Sequence, residues 1–133
     1  MRVLLDTHYL IWSMYDSSRL PDELVSLLRD ENTWIEYSIV SLWECEIKHI
    51  KYPDQFEFTA SDIVYDAQRA GFHMVDIDPM HIFALSSLEY SGASNHKDPF
   101  DRMLIAQAKT ENMILATHDR RLTDYSEPCV KYY

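Results

Sequence analysis

The chain is poor in glycine, cysteine and positive charge, and each shortage removes a class of answer. Two glycines among 133 residues, Gly71 and Gly92, are too few for a glycine-rich phosphate loop or a flexible linker. Two cysteines, Cys45 and Cys129, stand in no metal-ligand spacing, which excludes a disulfide framework and a thiolate zinc site and fits a reducing cytoplasm. Lys plus Arg total 12 against 22 Asp plus Glu, a formal net charge of −10, so binding of nucleic acid by bulk electrostatics is excluded. Long apolar runs are missing too. Val3 to Leu5 and Tyr9 to Trp12 are split by Asp6, Thr7 and His8, and neither is long enough for a signal peptide or a membrane span. A soluble cytoplasmic chain with no membrane partner is expected.

Hydrophobic residues make up 47% of the chain, and a chain of this length buries about two thirds of its unfolded surface, so one domain over residues 1–133 is expected. Residues 2–5 form a continuous apolar segment, the pattern of a strand buried on both faces. The spacing predicts helices over 21–30, 41–51, 59–70, 79–90 and 98–110, and strands over 33–40, 73–77 and 113–116. The stretch 91–97 reads as a polar connection. Strands alternating with helices imply a parallel α/β sheet with helices on both faces.

In such sheets ligands bind beyond the carboxyl ends of the strands, so an acid just after a buried strand has chemical meaning. Asp6 and Asp119 hold that position, although either could cap the segment that follows it. Asp101 has Leu104, Ile105 and Ala108 three, four and seven residues further on, an apolar face where a charge is costly. Asp98, just before Pro99, suits a helix N-cap, with Asp101 at the third helical position. Glu44 is ambiguous. Ser41-x-x-Glu44 reads as a capping box and Glu44 with Lys48 as an i,i+4 pair, while a helical projection puts Leu42, Trp43, Ile47 and Ile50 on the buried arc, with Glu46 inside it and Glu44 at its edge. Periodicity does not choose between the two glutamates. Among the histidines, His8 and His118 each adjoin a strand-end acid, His96 has only its place before Lys97-Asp98, and His49, His73 and His81 have no chemical context.

Several acids converging on one site repel one another, by about 3 kcal/mol for two unit charges about 5 Å apart at an effective dielectric near 20. Such a cluster calls for a cation. Hard oxygen donors without thiolate select Mg²⁺ or Mn²⁺, and a carboxylate site of this kind serves phosphoryl transfer.

The segments Leu4-Leu5-Asp6-Thr7-His8, Ser41-x-Trp43-Glu44-x-x-x-Lys48, His96-Lys97-Asp98-Pro99-Phe100-Asp101-Arg102 and Ala116-Thr117-x-Asp119, in this order along nearly the whole chain, resemble PIN-domain ribonucleases, in particular VapC-type toxins of bacterial toxin-antitoxin pairs. The resemblance implies a three-layer α/β/α sandwich around a parallel sheet and a Mg²⁺- or Mn²⁺-dependent endoribonuclease that hydrolyses RNA with a metal-activated water. Residue by residue it implies Asp6, Glu44, Asp101 and Asp119 as catalytic metal-site acids, with Thr7 and Thr117 supporting them and Asp98 as cap, neighbour or extra ligand. It favours Glu44 over Glu46 by likeness alone. It also implies a VapB-like antitoxin partner and a homodimer or toxin-antitoxin hetero-oligomer.

RNA contacts would fall to local cations, Lys48, Lys97, Arg102 and Arg120, with Lys51 and Arg121 nearby. Two rivals stand beside this reading. One is a catalytically silent module whose acids bind only metal or an antitoxin. The other is an aspartyl-nucleophile phosphatase built on Asp6, for which the usual second Asp two residues on is replaced by His8.

Overall fold

The computed structural model describes residues 1–92 and 96–133. Its sheet has five strands: β1 (Arg2–Leu5), β2 (Trp34–Ser38), β3 (His73–Val75), β4 (Ile114–Thr117) and β5 (Val130–Tyr132). They lie in the order β3-β2-β1-β4-β5, and every pairing is parallel. The helices are α1 (Thr7–Tyr15), α2 (Asp22–Arg29), α3 (Ile39–Lys51), α4 (Ala60–Arg69), α5 (Pro79–Ala84) and α6 (Pro99–Thr110), with 3₁₀ turns at Ser17–Arg19, Leu85–Ser87 and Arg120–Tyr125.

Alternation along β1 builds two cores. Val3 and Leu5 face one side with Tyr9, Leu10, Leu24 and Ile63 from α1, α2 and α4; Leu4 faces the other with Leu104, Ile105 and Ala108 from α6. This is the expected three-layer α/β/α sandwich. Because the chain leaves β1 toward β2 and β3 on one side and returns through β4 and β5 on the other, the topological switch lies between β1 and β4. Leu5 pairs with Ala116 there, so Asp6 and Asp119 leave the sheet from neighbouring strand ends.

Local signals account for most boundaries. Thr59 closes a capping box with Asp62 at the start of α4, and Gly71 at φ +81° supplies the left-handed residue that turns α4 toward β3. Asp98 caps α6, accepting the amides of Phe100 at 2.9 Å and Asp101 at 3.3 Å.

Other expectations need correction. β2 stops at Ser38 and α3 begins at Ile39, because the Ser38 hydroxyl accepts the Val40 amide at 3.0 Å and is the real N-cap. Ser41 caps nothing; it is buried inside α3 and its hydroxyl meets that of Thr7 at 2.9 Å. The inward arc of α3 is Val40, Ser41, Leu42 and Cys45, whereas Trp43, Ile47 and Ile50 are exposed. The expected helix over 79–90 ends at Ala84 and passes into a 3₁₀ turn. α1 and β5 were not anticipated from spacing. Of the polar connection at 91–97, residues 93–95 lie outside the described residues.

His81 also proves to have a context. It is 1% exposed, its Nδ1 accepts the Asp78 amide at 3.1 Å, and its Nε2 meets Glu111 at 2.9 Å. It ties the start of α5 to the end of α6.

Candidate active site

The site grows from the ends of β1 and β4. Asp6 is 4% exposed, and both of its oxygens are engaged. Oδ1 accepts the Tyr9 amide at 2.7 Å and so caps α1; Oδ2 accepts the Thr117 hydroxyl at 2.7 Å and the His118 amide at 2.9 Å. Asp6 thus ties two elements together, one oxygen serving the helix and the other the neighbouring strand. Thr117 in turn accepts the Asp119 amide at 3.0 Å. Its hydroxyl fixes both strand-end acids. Thr7, by contrast, braces α1 against α3 through Ser41.

Asp119 begins the 3₁₀ turn and accepts the Arg121 amide at 3.0 Å. The Arg121 guanidinium grips the same carboxylate, Nε to Oδ1 at 3.1 Å and a terminal nitrogen to Oδ2 at 2.8 Å, and holds its pKa below the ordinary value.

Asp101 rises from the first turn of α6 over the buried Leu104, Ile105 and Ala108, as its spacing implies. Burial, followed by the charges of Asp98, Glu44, Asp119 and Asp6, pushes its pKa up to about 7. These acids therefore act on a common region around Asp101. Glu44 belongs to it electrically and is held by Lys48 at 3.1 Å. Glu46 is occupied elsewhere, accepting the Ala60 amide at 2.8 Å at the start of α4.

Ligand atoms of Asp101, Asp119 and His96 lie within 4.8 Å of one another. Asp6 and Glu44 stand outside this tight group. His96 opens the motif that carries the family resemblance, but its spacing alone gives it no chemical role. Its ring is fixed by Tyr125, 29 residues further on, whose hydroxyl meets Nδ1 at 2.6 Å. Its Nε2 lies 3.3 Å from Asp101 Oδ2 but out of line for a hydrogen bond, and it is buried without a partner. The carboxylates, the raised pKa of Asp101 and this orphaned nitrogen fit a divalent cation.

The surrounding cations differ in availability. Lys97 and Arg120 are exposed at the rim, Arg120 lying 4.7 Å over the Tyr132 ring. Arg102 is engaged within the fold, bonding the Leu85 carbonyl at 3.1 Å and contacting the Tyr125 hydroxyl at 3.4 Å. On the Asp6 side, His8, Trp12 and His118 form an aromatic cluster, and Arg19 lies 4.1 Å over Trp12. Beside α6, Val40, Trp43, Ile77, Leu85, Phe100 and Met103 enclose an apolar groove of about 310 Å³.

A doubly wound parallel sheet with acids gathered beyond its switch point defines an α/β class whose site suits metal-assisted phosphoryl chemistry. The PIN domain model matches residues 3–128, and the chain belongs to the PIN domain family, a family of nucleases. No curated protein sequence matches it. Among solved structures it is similar to VapBC2 from Rickettsia felis bound to a DNA fragment from their promoter, with TM-score 0.71 and 18% identity over 100% of this chain and 99% of that one. It is also similar to DNA-bound VapBC from Salmonella typhimurium, with TM-score 0.69 and 14% identity over 100% and 97% of the two chains. A third likeness is to VapBC-1 from nontypeable Haemophilus influenzae, with TM-score 0.63 and 16% identity over 100% and 97%. At such identities these structures speak for the shared fold. Among the described residues no helix is long and apolar enough to cross a membrane.

Proposed function

We propose that residues 1–133 form one cytoplasmic nuclease domain that cleaves RNA internally with Mg²⁺ or Mn²⁺, and that it is the toxin of a VapBC-type toxin-antitoxin pair. The observation that carries the enzymatic reading is the acid cluster itself. Asp101 is half-buried and raised to about 7 beside Asp119, with Asp6 and Glu44 adding negative charge around it. A divalent ion bound there supplies positive charge to the phosphodiester as its transition state forms and makes water a stronger nucleophile.

The chain's own contribution is placement. Asp101 and Asp119 hold the cation, Glu44 adds a carboxylate whose position Lys48 sets, and Thr117 keeps Asp6 and Asp119 in fixed relation. Lys97 and Arg120 are free to meet the RNA backbone, while Arg102 serves the fold. The aspartyl-phosphatase reading has less support, because the second Asp it needs two residues after Asp6 is replaced by His8.

The partner reading draws on the VapBC likeness and on the apolar groove at Trp43 and Phe100, which suits an apolar segment of an antitoxin. An acidic toxin with net charge −10 complements a basic antitoxin.

Cleavage of RNA by the purified chain with Mg²⁺ or Mn²⁺, its loss in EDTA and its return on adding the metal are the expected results. Cleavage that is indifferent to EDTA overturns the metal mechanism. No cleavage of any RNA, together with tight binding of a small basic partner, favours the silent binding module.

A further inference from the structure

His96 is 6% exposed, and Nε2 is one of the few buried polar side-chain atoms among the described residues with no hydrogen-bond partner. Leaving such a group unpaired costs about 1–3 kcal/mol, so its persistence calls for a cause. The nitrogen does not point into apolar packing. It faces Asp101 Oδ2 at 3.3 Å and shares a space less than 4.8 Å across with Asp119. The other ring nitrogen is pinned at 2.6 Å by Tyr125, whose ring meets the imidazole edge-on at 87°. A metal-ligating imidazole is held in this manner, one nitrogen fixed by an outer partner and the other presented to the ion.

The separation also fits. Two donors each about 2.1 Å from one ion stand about 3.0 Å apart at octahedral angles and about 3.4 Å apart at tetrahedral ones. The His96–Asp101 distance of 3.3 Å falls in that interval. Asp78, His81 and Glu111 also gather ligand atoms, but both nitrogens of His81 are already satisfied, so that group is a strut.

We propose that His96 Nε2 is a direct ligand of the cation held by Asp101 and Asp119, and that this nitrogen makes the site prefer Mn²⁺ or Co²⁺ to Mg²⁺. Imidazole is a good donor to first-row transition ions and a poor one to Mg²⁺, which favours oxygen and retains its water. The inference rests on the proposed metal role of Asp101 and Asp119.

The test is metal binding without RNA, on the full chain. Mn²⁺ and Mg²⁺ affinities are measured by titration calorimetry for the wild type, His96→Asn and Asp101→Asn, and pulsed EPR of the Mn²⁺ complex reads nitrogen coupling. The expected wild type shows nitrogen coupling and binds Mn²⁺ more tightly than Mg²⁺. In His96→Asn the coupling vanishes and Mn²⁺ affinity falls about tenfold, while Mg²⁺ affinity stays within about twofold. Wild-type Mn²⁺ protein without nitrogen coupling, or coupling that survives in His96→Asn, overturns the inference. Should His96→Asn not fold, the double variant His8→Asn/His118→Asn decides: coupling retained there supports His96, and coupling lost overturns it. If Asp101→Asn abolishes binding while His96→Asn changes nothing, only this inference fails. If the wild type binds neither ion, the metal reading fails with it.

Discussion

The Thr117 hydroxyl donates to Asp6 Oδ2 at 2.7 Å, and its oxygen accepts the amide of Asp119 at 3.0 Å, so one buried side chain sets two acids from different strands. Thr117→Val keeps the shape and removes both bonds. A loss of about 1–3 kcal/mol in unfolding free energy is expected, since a buried carboxylate loses a donor, whereas Thr117→Ser loses far less. Urea denaturation of the two variants measures the difference, and a larger loss in Thr117→Ser than in Thr117→Val would show that the methyl group, rather than the hydroxyl, matters.

Asp101 gives stability a pH dependence with a definite sign. Its folded pKa of about 7 lies above the ordinary 3.8, so the native state holds the proton more tightly than the unfolded chain. Without divalent ions, its contribution therefore falls as pH rises from about 4 through about 7. Asp101→Asn is expected to stabilise the metal-free protein near pH 8 by on the order of 2 kcal/mol and to have almost no effect near pH 4. Thermal melts across pH check this. An Asp101→Asn variant that unfolds at every pH would assign the carboxylate to the fold instead.

Arg121 occupies the Asp119 carboxylate through both ends of its fork. It competes with any cation for the same oxygens. Arg121→Ala should raise the Asp119 pKa toward its ordinary value, visible in carbon-detected NMR titration, and should tighten Mn²⁺ binding severalfold. Weaker Mn²⁺ binding would mean that Arg121 organises the site.

Glu44 and Glu46 separate cleanly by experiment. Glu46→Gln removes the charge on the Ala60 amide and should cost stability of about 0.5–1 kcal/mol while sparing RNA cleavage. Glu44→Gln should lower cleavage and leave stability unchanged or slightly raised, because Asp101 loses a neighbouring charge. The reverse pattern would exchange their roles.

Trp43 is 62% exposed and borders the apolar groove with Phe100, their rings 5.1 Å apart at 83°. Trp43→Glu should leave the melting temperature nearly unchanged and weaken association with the partner or with a second copy, read by ultracentrifugation. Unaltered association would move the interface elsewhere.

The position of the acids was largely legible. Buried strands end in Asp6 and Thr117-x-Asp119, Asp98 before Pro99 marks a helix start, and the i+3, i+4, i+7 spacing put an apolar face beneath Asp101. These are local rules, and the local structure obeys them. α1 was not legible because its residues are apolar nearly all round, which blurs the helical period, and β5 because Val130–Tyr132 is too short to show alternation.

Sequence by itself determined the alternating strand and helix pattern, the parallel sheet it implies and the kind of chemistry that clustered carboxylates perform. Tertiary structure alone decided which face of α3 turns inward, burying Ser41 against Thr7 and leaving Trp43, Ile47 and Ile50 outside, because periodicity gives a helix its stripe but not the neighbour that covers it. It alone gave Glu46 to the start of α4 and brought His96 to Asp101 through Tyr125. Such contacts join residues far apart in the chain, where only the packing of one element on another fixes the distance.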